Sequence, residues 1–370
     1  MQRVRRPPFL VTALLFAFGA LARAQVPAPA PPPVPPPAPP PVKEASAQLV
    51  AAPPTWKEAR GPHEIESFSE VWRDEERSRD VPVKLWSPKI EGKAPVVIFS
   101  HGLGGTRDNY AHHGQHWSSH GYVVVHLQHL GSDDGVWRGA SRPMEAMQKA
   151  VADVENLLAR PRDVGFAIDE LARRAAREDW PLAGRLALDS IAVAGHSFGA
   201  YTALCAAGRD LVLPGGGKLE VSDPRVKACI AMSPQGNERE RSNASWSEFA
   251  CPVLHMTGTK DTSPIRGDSK PAERRIPFDT IDRADQYLLI LEGAEHSAFG
   301  DTLRGFGRRD PAHEPLIFAS STAFLDAYLR ADAKALAWLR DGGFAARLGA
   351  HGTFETKRPR SSAVPADDTE

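Results

Sequence analysis

The pentapeptide Gly195-His196-Ser197-Phe198-Gly199 sets a hydroxyl between two glycines, after an apolar run at 191–194 and before a small-residue stretch at 200–207. A serine hydroxyl is a weak nucleophile until a neighbouring base removes its proton. The spacing fits a strand that turns abruptly into a helix, with Ser197 at the apex and the helix N-terminus beneath it to favour developing negative charge. Side chains two positions either side of the serine would collide in that turn, so Gly195 and Gly199 are required. In chain order Ser, acid, His, the base is expected at His296, within Leu291-Glu292-Gly293-Ala294-Glu295-His296-Ser297 and just past an apolar run. The acid is expected at Asp261, at the end of Thr257-Gly258-Thr259-Lys260-Asp261, where a carboxylate can fix the imidazole tautomer. Asp268, Asp282 and Glu292 are the alternatives.

Acyl transfer also needs fixed N–H donors for a tetrahedral oxyanion. Phe198 supplies one N–H. A second is expected from Leu103 in the glycine-rich run Ser100-His101-Gly102-Leu103-Gly104-Gly105. His112, His113 and His116 include an i, i+4 pair able in principle to hold zinc, but no glutamate stands where a metalloprotease base would be. A polar surface helix is the better reading there, and no metal is assigned. Trp137, in a glycine-containing loop, is the tryptophan most worth testing as a substrate platform. The cysteines, Cys205, Cys229 and Cys251, show no metal spacing, and either one bridge or three thiols would fit.

These groups need a scaffold that delivers them to one place. Strand-like runs occur at 81–86, 95–99, 122–127, 191–194, 226–232, 252–256 and 287–291. Helical spacing links Met144, Met147, Val151, Val154 and Leu158, and a further helix is suggested by Val164, Ile168 and Leu171. One or two amphipathic helices are expected between Pro315 and Leu339. Strands alternating with helices predict an α/β fold with a mainly parallel sheet covered on both faces.

Together, Phe99-Ser100-His101-Gly102-Leu103-Gly104-Gly105, Ser119-His120-Gly121-Tyr122 and the 195–199 elbow resemble the dienelactone-hydrolase-like branch of the α/β-hydrolases, which includes the plasma-type platelet-activating-factor acetylhydrolases. The resemblance spans roughly 81–329. It implies the α/β-hydrolase fold, a serine esterase without metal or organic cofactor, and an oxyanion hole from the N–H groups of Leu103 and Phe198. Two departures stand out. Classical dienelactone hydrolases use a cysteine where Ser197 stands. The acetylhydrolase acid follows the strand after the elbow helix, where this chain reads Ser233-Pro234-Gln235. With Lys260-Asp261-Thr262 and Gly293-Ala294-Glu295-His296, the chain looks more like bacterial cutinases and polyester hydrolases.

The ends read differently from the middle. Arg3, Arg5 and Arg6 precede an apolar run at 9–21 and the small-x-small triplet Ala22-Arg23-Ala24, the parts of a secretory signal peptide at 1–24. Residues 25–55 form a Pro-rich linker, 56–345 the catalytic domain and 346–370 a tail expected to be disordered. A secreted or periplasmic protein with no stable membrane insertion after signal cleavage is the expectation. The net charge of −1 over 370 residues gives no field that would favour nucleic acid. The favoured substrate is a small or polymeric carboxylic ester, because the 235–250 segment is too short for a large lid. An amidase or peptidase with the same triad, or a surface module that binds without turnover, are the alternative readings.

Overall fold

The structure is a computed structural model that describes residues 55–212, 217–236, 244–263, 265, 270–301 and 310–359. The signal segment, nearly all of the Pro-rich linker, Asp268 and residues 237–243 of the 235–250 segment lie outside the described residues.

Strands β1 (Ile65–Asp74), β2 (Arg79–Pro88), β3 (Ala94–Ser100), β4 (Val123–Leu127) and β5 (Leu186–His196) fill the first half of the domain. A short hairpin, β6 (Leu211–Val212) and β7 (Lys218–Leu219), stands apart from the main sheet. Strands β8 (Val226–Met232), β9 (Val253–Lys260), β10 (Gln286–Glu295) and β11 (Gly352–Lys357) complete it. Among the described residues the sheet has nine strands, in the order β1-β2-β4-β3-β5-β8-β9-β10-β11. From β4 to β10 every neighbour is parallel, and β1, β2 and β11 run antiparallel at the edges. The helices are α1 (Ala111–Ser119), α2 (Pro143–Ala152), α3 (Val154–Ala175), α4 (Phe198–Ala207), α5 (Ile276–Thr280), α6 (His313–Leu329), α7 (Ala333–Arg340) and α8 (Gly343–Leu348). Apolar residues of α1, α6, α7 and α8 pack on one face of the sheet, and those of α3 and α4 on the other. This is the α/β-hydrolase fold, in agreement with the sequence. Parallel strands covered on both faces carry the largely apolar runs seen in β3, β4 and β8. No helix among the described residues is long and apolar enough to cross a membrane.

Four details depart from expectation. The region from 346 is not a disordered tail as far as 359: α8 runs to Leu348, and β11 pairs with β10 from Gly352 to Lys357. Salt bridges Arg275–Glu355 and Lys357–Asp282 hold this polar edge strand, so the domain extends past 345. Strand β1 was not legible as a strand, since it is a polar edge that buries little of its surface. The helix break falls at Asp153, whose side chain caps α3, and not between Leu158 and Val164. Helix α3 continues through Pro161. Proline there leaves the Leu157 carbonyl without its usual i+4 donor, and the Tyr201 hydroxyl donates to that oxygen instead at 3.2 Å. Finally, α1 is not a polar surface helix. His113 and His116 are buried, with ring nitrogens on the Phe299 carbonyl and the Thr322 hydroxyl, and His116 stacks on Phe318.

Candidate active site

The three loops that carry the expected chemistry, and the glycine-rich loop, all begin at the carboxyl ends of parallel strands. Ser197 directly follows β5, Asp261 follows β9, His296 follows β10 and His101 follows β3. Strands of one direction bring such residues to one edge, where ligands of open α/β sheets bind.

Ser197 sits at φ 56° and ψ −116°, a conformation an L-residue holds only when its surroundings enforce it. The enforcement is visible. Its N–H donates to the Met232 carbonyl at 2.9 Å, and its own carbonyl accepts from Ala200 N–H as α4 starts. A Cβ at Gly195 would overlap the Gly199 carbonyl, and one at Gly199 would overlap the Ser100 carbonyl. Both glycines therefore serve the close approach read from their spacing. Phe198 is the first residue of α4, so its N–H has no partner within the helix.

His296 is half-buried and donates from Nδ1 to Asp261 Oδ1 at 2.7 Å. That bond leaves Nε2 as the nitrogen able to take a proton. Asp261 is fully buried and also accepts from the Thr257 hydroxyl at 2.9 Å. Burial alone would raise its pKa; the hydrogen bond and charge of His296, and then the charge of Arg274, overcome this and hold it well below the usual carboxylate range. Of the rival acids, Asp282 is paired with Lys357, and Glu292 is exposed and accepts from Thr259.

Sequence reasoning missed Arg274. Its guanidinium is buried, stands 3.3 Å from Asp261 Oδ1, and donates to the carbonyls of Ser233 and Pro234 at 3.1 and 3.2 Å.

It also missed a chain of hydrogen bonds linking the loops. Gly102 N–H donates to the Tyr110 hydroxyl at 3.2 Å, which meets His196 Nδ1 at 2.9 Å, while His196 Nε2 lies 3.0 Å from the His296 carbonyl. A carbonyl only accepts, so Nε2 carries the proton and Nδ1 accepts from Tyr110. Burial, and then the nearby His296, keep His196 neutral by pushing its pKa well down. The glycine-rich loop is thus tied to the loop of His296 through the residue next to Ser197. No spacing rule would have paired positions 110 and 196.

Gly102 packs against Ser197, since a Cβ there would lie 3.6 Å from that of the serine. Leu103 is half-buried and packs in a small apolar cluster with Phe198, Tyr201, Val151 and Ile265. The loop is pinned beyond it by Gly104 N–H to the Ser132 carbonyl at 2.9 Å and by Trp137 Nε1–H to the Gly104 carbonyl at 2.8 Å. Trp137 keeps 37% of its surface exposed while packing against Gly104. None of Cys205, Cys229 and Cys251 is in a disulfide. Among the described residues no group of three His, Cys, Asp or Glu side chains could hold a metal ion.

The sheet order and the placement of these residues at the strand ends are those of an α/β-hydrolase fold. The family model described as platelet-activating factor acetylhydrolase, isoform II, matches residues 78–137, which include the glycine-rich loop. The chain is also similar to bacterial cutinases. Cutinase est1 of Thermobifida alba is 24% identical over 226 residues, 60% of this chain and 60% of that protein. The cutinase of Thermobifida fusca (strain YX) is 24% identical over 217 residues, 58% of this chain and 56% of its own. The chain therefore spans about three fifths of the length of these relatives. The two matches are the ester-hydrolase groups that the motifs resemble.

Proposed function

We propose that this protein hydrolyses carboxylic esters through an acyl intermediate on Ser197. The observation that carries the reading is the buried Asp261 carboxylate bonded to His296 Nδ1, at the same sheet edge as a serine held in a strained elbow. Ser197 Oγ attacks the ester carbonyl carbon while its proton passes to His296 Nε2. Asp261 stabilises the imidazolium so formed without taking its proton. The carbonyl π-electrons move onto oxygen, which the N–H groups of Leu103 and Phe198 stabilise. When the carbonyl re-forms, the C–O bond to the alcohol breaks and the leaving oxygen takes the proton from His296. Water, deprotonated by His296, then attacks the acyl-enzyme, and collapse of the second tetrahedral intermediate returns the proton to Ser197 Oγ and frees the acid.

The similarity to proteins named acetylhydrolase and cutinase supports short-chain or polymeric esters as the substrate class, and so does the half-exposed Trp137 beside the glycine-rich loop. Arg3, Arg5 and Arg6, the apolar run and the small-x-small triplet support action outside the cytoplasm. Turnover of p-nitrophenyl acetate by wild type and Ser197→Ala tests the reading. Loss of turnover in the variant is expected; equal rates would end the proposal.

A further inference from the structure

We propose that Arg160 is a positioning residue for the oxyanion hole, holding the Leu103 and Phe198 donors at a fixed spacing and placing a positive charge behind them. The inference rests on the esterase reading of Ser197. Arg160 lies on α3, far in sequence from every motif, and is fully buried.

Its guanidinium reaches both halves of the hole. Nη2 donates to the His101 carbonyl, two residues before Leu103. Nη1 donates to the Ser132 hydroxyl at 2.9 Å, and the carbonyl of that serine receives Gly104 N–H, one residue after Leu103. Nε donates to the Thr202 hydroxyl at 2.7 Å, and Thr202 donates to the Phe198 carbonyl at 3.0 Å. The guanidinium also lies 4.4 Å from the centre of the Phe198 ring. The segments on each side of Leu103 and the first turn of the elbow helix are thus fastened to one rigid planar group. The fork of an arginine fixes several acceptors relative to one another, which an ammonium does less well.

All three of these bonds go to uncharged acceptors. Asp163, one turn along α3, offsets the charge from a distance, but its oxygens are engaged by Arg77, Arg79 and His129. Burial lowers the Arg160 pKa to about 9, so the group stays cationic at neutral pH. A buried cation without a direct carboxylate is expensive to keep. Apolar residues of similar volume are often as stable in such places, so stability alone gives a poor account of an arginine here. Negative charge appears on the substrate oxygen only during reaction, and a fixed cation behind the donors favours that state over the ground state.

The test compares Arg160→Met and Arg160→Lys with wild type on a p-nitrophenyl ester, alongside binding of an alkyl boronic acid that forms a tetrahedral anionic adduct on the serine. Arg160→Met should lose about 100-fold in kcat with KM changed by no more than about threefold, and boronate affinity should fall by a similar factor. Arg160→Lys, which keeps the charge, should recover about a tenth or more of the wild-type kcat. A folded Arg160→Met with kcat within about threefold of wild type overturns the proposal, as does a kcat loss with boronate binding intact. If Arg160→Met fails to fold, Thr202→Val and Ser132→Ala each remove one acceptor while leaving the cation. Each should lower kcat by about three- to tenfold, and unchanged kcat in both overturns the proposal. Fluorophosphonate labelling of wild type separates this outcome from the parent reading. An unlabelled Ser197 sinks the esterase itself, whereas a labelled Ser197 with an indifferent Arg160→Met sinks only the role of Arg160.

Discussion

His116, His126, His129 and His255 lie in the interior, and burial pushes their pKa values to about 3, 4, 4 and 4, from an ordinary 6.5. They stay neutral in the folded protein at pH values where the unfolded chain binds protons. A depressed folded pKa means stability that is complete above 6.5 and is lost as pH falls toward the folded value. Between about pH 7.5 and pH 5.5 each such histidine forfeits about RT ln 10, or roughly 1.4 kcal/mol, so the four together forfeit about 5 kcal/mol. Asp163, Asp261 and Asp326, held below the usual carboxylate range, are ionised in both states over that interval and do not oppose the loss. Five kcal/mol or so is a large part of the roughly 5–15 kcal/mol that holds a domain folded. In urea, with a slope near 3 kcal/mol/M, the unfolding midpoint should drop by about 1.7 M across the interval. His255→Gln can keep a donor to the Gln286 amide oxygen, now at 2.7 Å, and should remove one histidine's share, about 1.4 kcal/mol, of the loss. A midpoint that moves by less than about 0.3 M would refute the reasoning.

Three further outcomes are expected. Asp261→Asn should lower kcat on p-nitrophenyl acetate by about 10³- to 10⁴-fold, because an amide holds the wrong tautomer and leaves the imidazolium facing Arg274; more than a tenth of wild-type kcat would exclude Asp261 as the acid. Tyr110→Phe removes the hydroxyl between Gly102 and His196, so kcat/KM should fall about tenfold with unfolding free energy changed by only about 1–2 kcal/mol, read by ester kinetics and urea melts. Trp137→Ala should raise KM for bulky aryl esters several-fold more than for acetate, and equal changes for both would remove Trp137 as a substrate contact.

The parts of the fold legible in the sequence are those that two-sided burial imposes. Strands β3, β4, β8 and β9 are buried along most of their length, and each carries a largely apolar run. The elbow is legible because overlap of backbone with backbone admits only glycine at 195 and 199. Strands β1 and β11 were not legible, since an edge strand buries little and can be as polar as a loop. Helix α3 was misplaced at Pro161 because a side chain 44 residues ahead supplies the substitute hydrogen bond. The site follows the same rule. Ser197, Asp261 and His296 each announce themselves by following a strand. Tyr110, His196, Arg160 and Arg274 act through partners distant in sequence, and only the packed structure brings those partners together.

Arg274 bears on why the proposed acid, Asp261, follows β9 when the acetylhydrolase-like pattern would put it after β8. The residue in the β8 position, Ser233, has φ 52°, and its N–H donates to the Met256 carbonyl on β9 at 2.7 Å, so the two strand ends are already joined. Arg274 adds a second tie, donating to the carbonyls of Ser233 and Pro234 beyond β8 and to that of Asp261 beyond β9. A guanidinium over this junction gives either strand end an electrostatic reason to present a carboxylate. The Asp261 side chain takes that place and meets His296 from the next strand, with Thr257 on the same strand supplying a further donor. Relocation of the acid therefore needs no change in where the imidazole stands. The fixed requirement is a desolvated carboxylate at Nδ1, and a cation spanning two neighbouring strand ends lets either one provide it.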